Sequence, residues 1–359
     1  MRLAPALAIL SMLPALAAGY SPRGDLDAGR YLKALADAED VLKREPRSAL
    51  AWAAKSQALA AMLRMAEALD AAERALALQP DLADALMARG LARAGSAVQA
   101  RNLSSITNAA GSLEDLRSAV KADPTLLTAW VSLGVGYELL PGILGGSSRK
   151  AMDCAQSLKR VSPARGEMLQ GTVLSMGGRW QEAEASFHRA LAAGPRDPEV
   201  VYAYLDALGS RETRKSLGDT ETKRRLAQEA RRLLPGHKGR ARAVEAICDA
   251  LLDADQGEEA WRTAQECLAG ADAPSLIRLQ LGKVAARAGL HQEEGLAYLD
   301  QVLREPIEGG SGGYGAAHWR RGQILRGLGR KAEARAAAQA ALKLDPRDPK
   351  PARLLKELQ

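Results

Sequence analysis

The chain has 359 residues, of which 47% are hydrophobic, 4% aromatic and 26% charged, and its net charge is +7. This composition is typical of a soluble helical protein, and the single Phe predicts a core built from Ala, Leu and Val with few large anchors. The charge is moderate, so its distribution along the chain matters more than its size.

The first residues have the pattern of a secretory signal peptide. Met1-Arg2 precede an apolar run over Leu3–Leu16, which ends in an A-x-A arrangement of small residues. We expect a signal peptide at 1–17, cleaved after Ala17, and a short tether at 18–24, which makes the protein periplasmic or secreted. The alternative is an uncleaved N-terminal anchor, although the run is short for a membrane span and no other run is long enough.

A repeating pattern organises the rest of the chain. Prolines recur near the expected helix ends, and Pro46 and Pro80 are 34 residues apart. The stretch Trp130–Tyr137 reads W-x2-L-G-x2-Y, and Ala183–Pro195 reads A-x3-F-x2-A-x4-P. Small residues at such positions let paired helices approach closely. These motifs resemble the first and second helices of the tetratricopeptide repeat, a 34-residue helix–turn–helix unit.

This resemblance implies an all-α fold, a right-handed superhelical solenoid of about eight antiparallel helix pairs over residues 25–358. A polar capping helix is expected at 351–358, and inserts are expected near 95–108, 141–146, 211–221 and 307–314. In such proteins the first helix of each pair lines a concave face that holds an extended peptide or a partner's helix. Gly145–Ala151 also resembles exported tetratricopeptide proteins associated with TRAP-type transporters.

Carrying the family's concave-face positions onto this sequence gives candidate groove residues. They mix aromatic, cationic and acidic side chains, and we expect them to hold an extended polar chain of a protein or peptide partner. They are Tyr202, Asp206, Arg242, Lys283, Trp319, Gln323 and Arg326. The alternative is that they are ordinary surface residues, and Trp319 becomes a core residue if the helix phase slips by one position.

A basic segment at 211–242 carries 11 Lys or Arg against 4 Asp or Glu. Its predicted cationic patch is Arg224, Arg225, Arg231 and Arg232. Such a patch favours an acidic partner, anionic lipid or cell-wall polymer, so a transport- or lipid-associated accessory role is the alternative function. Nucleic acid is not expected, because no aromatic residues are interleaved to stack on bases.

No motif points to catalysis. The four histidines lack metal-ligand spacing, so neither a metal nor a cofactor is expected, and His318 is the best single candidate for a functional histidine. Cys154, Cys248 and Cys267 are expected to be buried thiols, with a Cys248–Cys267 disulfide as the alternative. The sequence thus predicts a non-enzymatic binding scaffold.

Overall fold

The computed structural model describes residues 20–27, 29–100, 103–305, 313–346 and 348–359, and these residues form twenty α-helices and no strand. In chain order, α1 to α10 are Arg23–Asp27, Tyr31–Arg44, Ala49–Ala61, Met65–Leu78, Ala83–Ala100, Leu103–Ala122, Leu127–Leu139, Ser148–Val161, Pro163–Met176 and Trp180–Ala193. Likewise, α11 to α20 are Pro198–Gly209, Arg211–Leu217, Asp219–Leu233, Ala241–Asp253, Gly257–Leu268, Pro274–Ala288, Gln292–Val302, Gly313–Gly327, Lys331–Leu344 and Pro349–Glu357.

Consecutive helices pack as pairs, each with a first helix (A) and a second helix (B). Eight pairs follow one another through the described residues: α3–α4, α5–α6, α7–α8, α9–α10, α11–α13, α14–α15, α16–α17 and α18–α19. Most A helices also pack against the A helix of the next pair, as α14 does against α16 and α16 against α18. The A helices therefore form the inner layer of a solenoid, and the B helices form its outer layer.

Four turns between an A and a B helix share one backbone arrangement. Each contains a residue with a positive φ: Leu63 at 62°, Gly178 at 75°, Asp255 at 59° and Gly329 at 77°. In all four, the N–H of the next residue donates to the carbonyl five residues earlier, at 2.8 to 2.9 Å. This left-handed residue ends the A helix and reverses the chain sharply, so the B helix folds back on its own A helix.

Small side chains fill the contacts between helices, as the motifs predict. Ala68, Ala72 and Ala75 of α4 are fully buried, and so is the single Phe, Phe187 of α10. The three cysteines are buried free thiols, and the Cys248 thiol donates to the Ala260 carbonyl across the α14–α15 pair. Aromatic side chains are buried as well, since Trp180, Tyr204 and Trp261 are at most 3% exposed, so the core combines close helix packing with a few large aromatic anchors.

Two of the predicted inserts are largely helical. Residues 95–108 mostly lengthen α5 and α6, and residues 211–221 form α12 and the start of α13. The 141–146 insert contains a 3₁₀ turn at Gly142–Leu144, and the predicted insert at 307–314 lies outside the described residues except for the start of α18. The capping helix is α20, which begins two residues before the predicted range.

At the N-terminal end, α1 is held to the solenoid by one arginine. The Arg23 guanidinium forms ion pairs of 2.7 Å with the buried Asp84 carboxylate and with Asp123. The predicted signal peptide at 1–17 lies outside the described residues. Of the predicted tether at 18–24, residues 20–24 are described. None of the described helices has the length and apolar character that a membrane span requires.

Candidate partner-binding surface

A large hollow lies where the first helix pair faces the last pairs. It has a volume of about 790 Å³, and its walls come from the α3–α4 turn, from α16 and α18, and from α19 and α20. The Leu63 side chain lies 3.5 Å from the position that a Cβ on Gly313 would occupy, so the two ends of the solenoid meet here. We call this hollow the closure cavity; its walls include Leu63, Lys283, Tyr314, Trp319 and Arg320.

Trp319 lies on the inner surface and not in the core. Its ring is partly exposed, with the Arg320 guanidinium 4.0 Å and the Lys350 ammonium 5.0 Å from the ring centroid. Trp319 lines both the closure cavity and a neighbouring hollow of about 190 Å³. Two cations therefore lie within cation–π distance of the Trp319 ring.

Tyr202 and Arg242 are brought into direct contact. The Arg242 guanidinium stacks 3.4 Å from the Tyr202 ring centroid and pairs with Glu245 at 2.8 Å and Glu199 at 3.5 Å. Burial lowers the pKa of Arg242, and the carboxylates of Glu199 and Glu245 raise it above its usual range. This arginine is thus engaged inside the protein, and it fixes the Tyr202 ring as part of the wall.

The remaining predicted groove residues are distributed over three hollows. Lys283 in the closure cavity pairs with Asp249 at 2.5 Å, and Asp206 lines a hollow of about 210 Å³ with Tyr202. Gln323 and Arg326 line the third hollow, and Arg326 pairs with Glu357 of α20. The seven predicted residues therefore lie along one face, but they do not converge on one site.

Sequence reasoning missed two side chains of the closure cavity that carry distinctive chemistry. Arg320 follows the predicted Trp319 by one position, and its Nη1 donates to Gln323 Oε1 at 2.9 Å. Leu63 lies in a turn of the first pair, far away in sequence. A scan for cations adjacent to the predicted aromatic positions finds Arg320, whereas Leu63 is brought there only by the curvature of the whole solenoid.

All four arginines of the predicted basic patch have carboxylate partners. Arg224 pairs with Glu221 at 2.7 Å and Arg225 with Glu184 at 2.8 Å. The other pairs are Arg231 with Glu259 at 2.6 Å and Arg232 with Glu229 at 2.5 Å. Because each charge is compensated locally, the patch presents less positive potential than its composition predicts.

His318 is partly buried in α18, and burial together with the Arg321 charge lowers its pKa, so it is neutral at pH 7. Throughout the described parts of the chain, no three His, Cys, Asp or Glu side chains are arranged so that they could hold a metal ion.

Comparisons with known proteins match both ends of the described chain. A family model described as Tetratricopeptide repeat matches residues 315–348, and a second with the same description matches residues 23–83. A comparison with curated proteins finds no match.

Solved structures resemble the fold at low sequence identity. A thermophilic TPR protein of Thermus thermophilus is 21% identical, covering 52% of this chain and 99% of that chain, with a TM-score of 0.44. Tom70 of yeast is 10% identical, covering 94% and 86% of the two chains, with a TM-score of 0.49. PilF of Pseudomonas aeruginosa is 16% identical, covering 66% and 98%, with a TM-score of 0.40.

Proposed function

Because this chain is built of tetratricopeptide repeats, we propose that it is a non-enzymatic scaffold that holds a segment of a protein partner on its inner surface. The observation that supports this function is the closure cavity, a hollow of about 790 Å³ between the first and last helix pairs. Its size and its mixture of apolar, aromatic and charged walls suit part of a peptide chain.

The solenoid contributes to binding by fixing these walls in advance. Lys283 is held by Asp249 at 2.5 Å, and the cations of Arg320 and Lys350 lie over the Trp319 ring. Side chains that are already ordered lose little conformational entropy when a partner binds. Recognition then depends on shape and on a few polar anchors, without covalent chemistry.

Site-specific crosslinking tests this function. A photoreactive amino acid replaces Tyr314 in the closure cavity, and the purified protein is exposed to an extract of its own compartment. We expect one partner to crosslink through a single short segment, identified by mass spectrometry, and Trp319→Ala to abolish the crosslink. Trp52→Ala is the matched control, because Trp52 packs against Lys55 and Arg74 away from this cavity.

Two results contradict this proposal. If the partner crosslinks only through a photoreactive residue at the outer-layer position Arg224, the inner surface is not the binding site. If no protein is captured at either position and the protein turns over a substrate, the scaffold function is wrong.

We also propose that the protein acts in the cell envelope or the secreted space. The proposal depends on the signal-peptide pattern of residues 1–17. N-terminal sequencing of the protein recovered from its native compartment should begin at Ala18. A chain that keeps Met1 and stays in the cytoplasm contradicts this location.

The salt dependence of binding distinguishes the alternative accessory function, which uses the basic segment, from the scaffold function. Binding of anionic lipid vesicles or polyanion through Arg224, Arg225, Arg231 and Arg232 should be lost as ionic strength rises. The ion pairs of these four arginines favour the groove instead.

A further inference from the structure

Two cations that line the closure cavity, Arg320 and Lys350, have no ion pair among the described residues, and of these two only Arg320 is partly buried. Lys283 pairs with Asp249 and Arg64 pairs with Glu67, whereas Arg320 has no ion pair within 4.0 Å among the described residues. Its only polar contact in that set is the bond of 2.9 Å to Gln323. The Arg320 guanidinium has five N–H donors, so most of its capacity is available to a ligand.

Burying the charge of Arg320 also costs the folded protein free energy. Burial, with the nearby Arg287 charge, lowers the pKa of Arg320 to about 10, although Asp249 opposes the shift. The group therefore stays charged at pH 7, but its charge is poorly compensated by the protein itself. An uncompensated cation facing a hollow is typical of a site that receives an anion.

The closure cavity has both polar and apolar walls, and the side chains of Glu245, Asp345 and Asp348 also line it. The described residues include nine exposed large apolar side chains, and four of them line the closure cavity: Leu63, Val98, Tyr314 and Leu344. These four lie in the α3–α4 turn and on α5, α18 and α19, so several elements contribute exposed apolar surface to the cavity that Arg320 faces. An apolar patch of this kind marks an interaction surface.

Leu63 adds an independent argument. It adopts a left-handed φ of 62°, whereas the equivalent turn residues Gly178 and Gly329 are glycines that adopt it without strain. Asp255 shows that the position does not require glycine, but Leu63 is 47% exposed and lines the closure cavity, so its apolar side chain is available for contact with a bound segment.

We propose that the closure cavity binds a partner segment with an internal Asp or Glu flanked by apolar residues. Arg320 receives the side-chain carboxylate, Trp319 and Tyr314 pack against one flanking residue, and Leu63 with Leu344 packs against the other. Because the exposed apolar side chains of the cavity come from separate elements, they favour a chain that continues in both directions from the acid. This inference rests on the proposed scaffold function and names the chemistry of its partner.

Selection from peptide libraries tests the inference. A random twelve-residue library is displayed with its C-terminus fused, so that its only carboxylates are side chains, and a second library has a free C-terminus. We expect the fused library to give sequences in which Asp or Glu is flanked by Leu, Ile, Val or aromatic residues. Replacing that acid by its amide should weaken binding about tenfold or more, because a charged hydrogen-bonded pair is lost.

Variants assign the effect to Arg320. Arg320→Gln should weaken the selected peptides by a similar factor and abolish the preference for acid over amide, and Arg320→Lys should restore part of it. The matched control is Arg330→Gln in the same pair, since Arg330 bonds Glu333 outside the cavity. Thermal unfolding of each variant confirms that it is folded.

The outcomes separate the inference from the function on which it rests. Peptides that bind without an acidic residue, compete with one another and are lost in Trp319→Ala overturn the acidic preference and leave the scaffold intact. Binders obtained only from the free-end library overturn the assignment to an internal acid. If neither library gives a binder and crosslinking also finds no partner, the scaffold function itself is wrong.

Discussion

Two arginines on the inner surface show how the same residue type serves structure and recognition. Arg242 stacks on Tyr202 and pairs with the buried Glu245, whereas Arg320 stacks on Trp319 and faces the closure cavity without a carboxylate partner among the described residues. A paired cation stabilises the fold, and a desolvated cation without a partner costs stability. Their substitutions should therefore act in opposite directions.

We expect Arg320→Met to raise the free energy of unfolding at pH 7. The pKa of Arg320 is lowered to about 10, so its charge opposes folding fully at pH values below 10, and this cost decreases as pH rises above 10 toward the ordinary pKa of arginine. The shift corresponds to roughly 1 to 3 kcal/mol, and loss of the contact with Trp319 removes about 1 kcal/mol, which leaves a net gain of about 1 kcal/mol.

Urea unfolding of the two proteins measures this difference. Arg321→Met on the same helix is the control, because Arg321 pairs with Asp300 at 2.6 Å and its loss should lower stability. A decrease for Arg320→Met as large as that for the control contradicts the assignment of a functional cost to Arg320.

Arg242→Met should have the opposite effect, a loss of about 2 to 3 kcal/mol of stability, because it removes a charged partner from a buried carboxylate. Glu245 is only 3% exposed and accepts from Arg242 at 2.8 Å. Adding Glu245→Gln to the variant should recover part of the loss, as denaturation of the double variant measures. Equal stabilities of Arg242→Met and the original protein contradict this account.

At the scale of the element, the A–B turn shows where sequence and backbone disagree. Gly178 and Gly329 occupy the left-handed position in two pairs, and Leu63 occupies it in the first. We expect Leu63→Gly to stabilise the protein by about 0.5 to 1 kcal/mol, because relief of the left-handed strain exceeds the added chain entropy. The same variant should weaken partner peptides, since it removes a wall of the closure cavity.

The reverse substitution controls for this effect. No atom lies within 4 Å of a Cβ built on Gly178, so Gly178→Leu introduces backbone strain without a clash and should lower stability by about 1 to 2 kcal/mol. Thermal melts of both variants should shift in opposite directions. If Leu63→Gly also lowers the melting temperature, the leucine is retained for packing and not for binding.

Helix crossings give a second prediction at this scale. A Cβ on Gly282 of α16 would lie 2.3 Å from the buried Leu299 of α17. Overpacking costs about 1 to 3 kcal/mol, and the better helix propensity of Ala offsets only part of it, so Gly282→Ala should lower stability by about 1 kcal/mol.

Gly315→Ala is the matched control, because a Cβ there meets nothing within 4 Å and lies in the first turn of α18. It should leave stability unchanged or raise it by about 0.5 kcal/mol. Calorimetry that ranks the two variants in the reverse order contradicts this reading of the α16–α17 contact.

For the molecule as a whole, local pattern predicts much of the architecture. The motifs at Trp130–Tyr137 and Ala183–Pro195 predict helix pairs that the structure contains as α7–α8 and α9–α10. The structure of residues 95–108 is harder to predict, because their polar composition is compatible with an insert and with the ends of two longer helices.

The candidate site was only partly predictable for a physical reason. Family positions identify Trp319 and Lys283, which line the closure cavity. The meeting of Leu63 with Gly313 depends on the angles between eight successive pairs, and no local pattern encodes their sum. The sequence does not distinguish Arg320 from a surface arginine, because only the structure shows that it has no carboxylate partner among the described residues.

The capping helix completes this curvature at the C-terminal end. Leu354 of α20 is 3% exposed and lies against Gly322 of α18, and the Arg335 guanidinium donates to the Leu358 carbonyl at 2.9 Å. Since most contacts of a pair are with its neighbours along the chain, loss of this cap should loosen the last pair first. Leu354→Ala should cost about 2 to 4 kcal/mol locally.

Hydrogen exchange measures where that loss falls. We expect faster exchange in α18 to α20 and unchanged exchange in α3 to α6, with weaker binding of cavity peptides because Trp319 and Lys350 line the same wall. Lys356→Ala, at an exposed position of α20, should alter neither property. Uniformly faster exchange over the whole chain contradicts nearest-neighbour coupling, and it means instead that the contact between the first and last pairs makes the solenoid unfold as one unit.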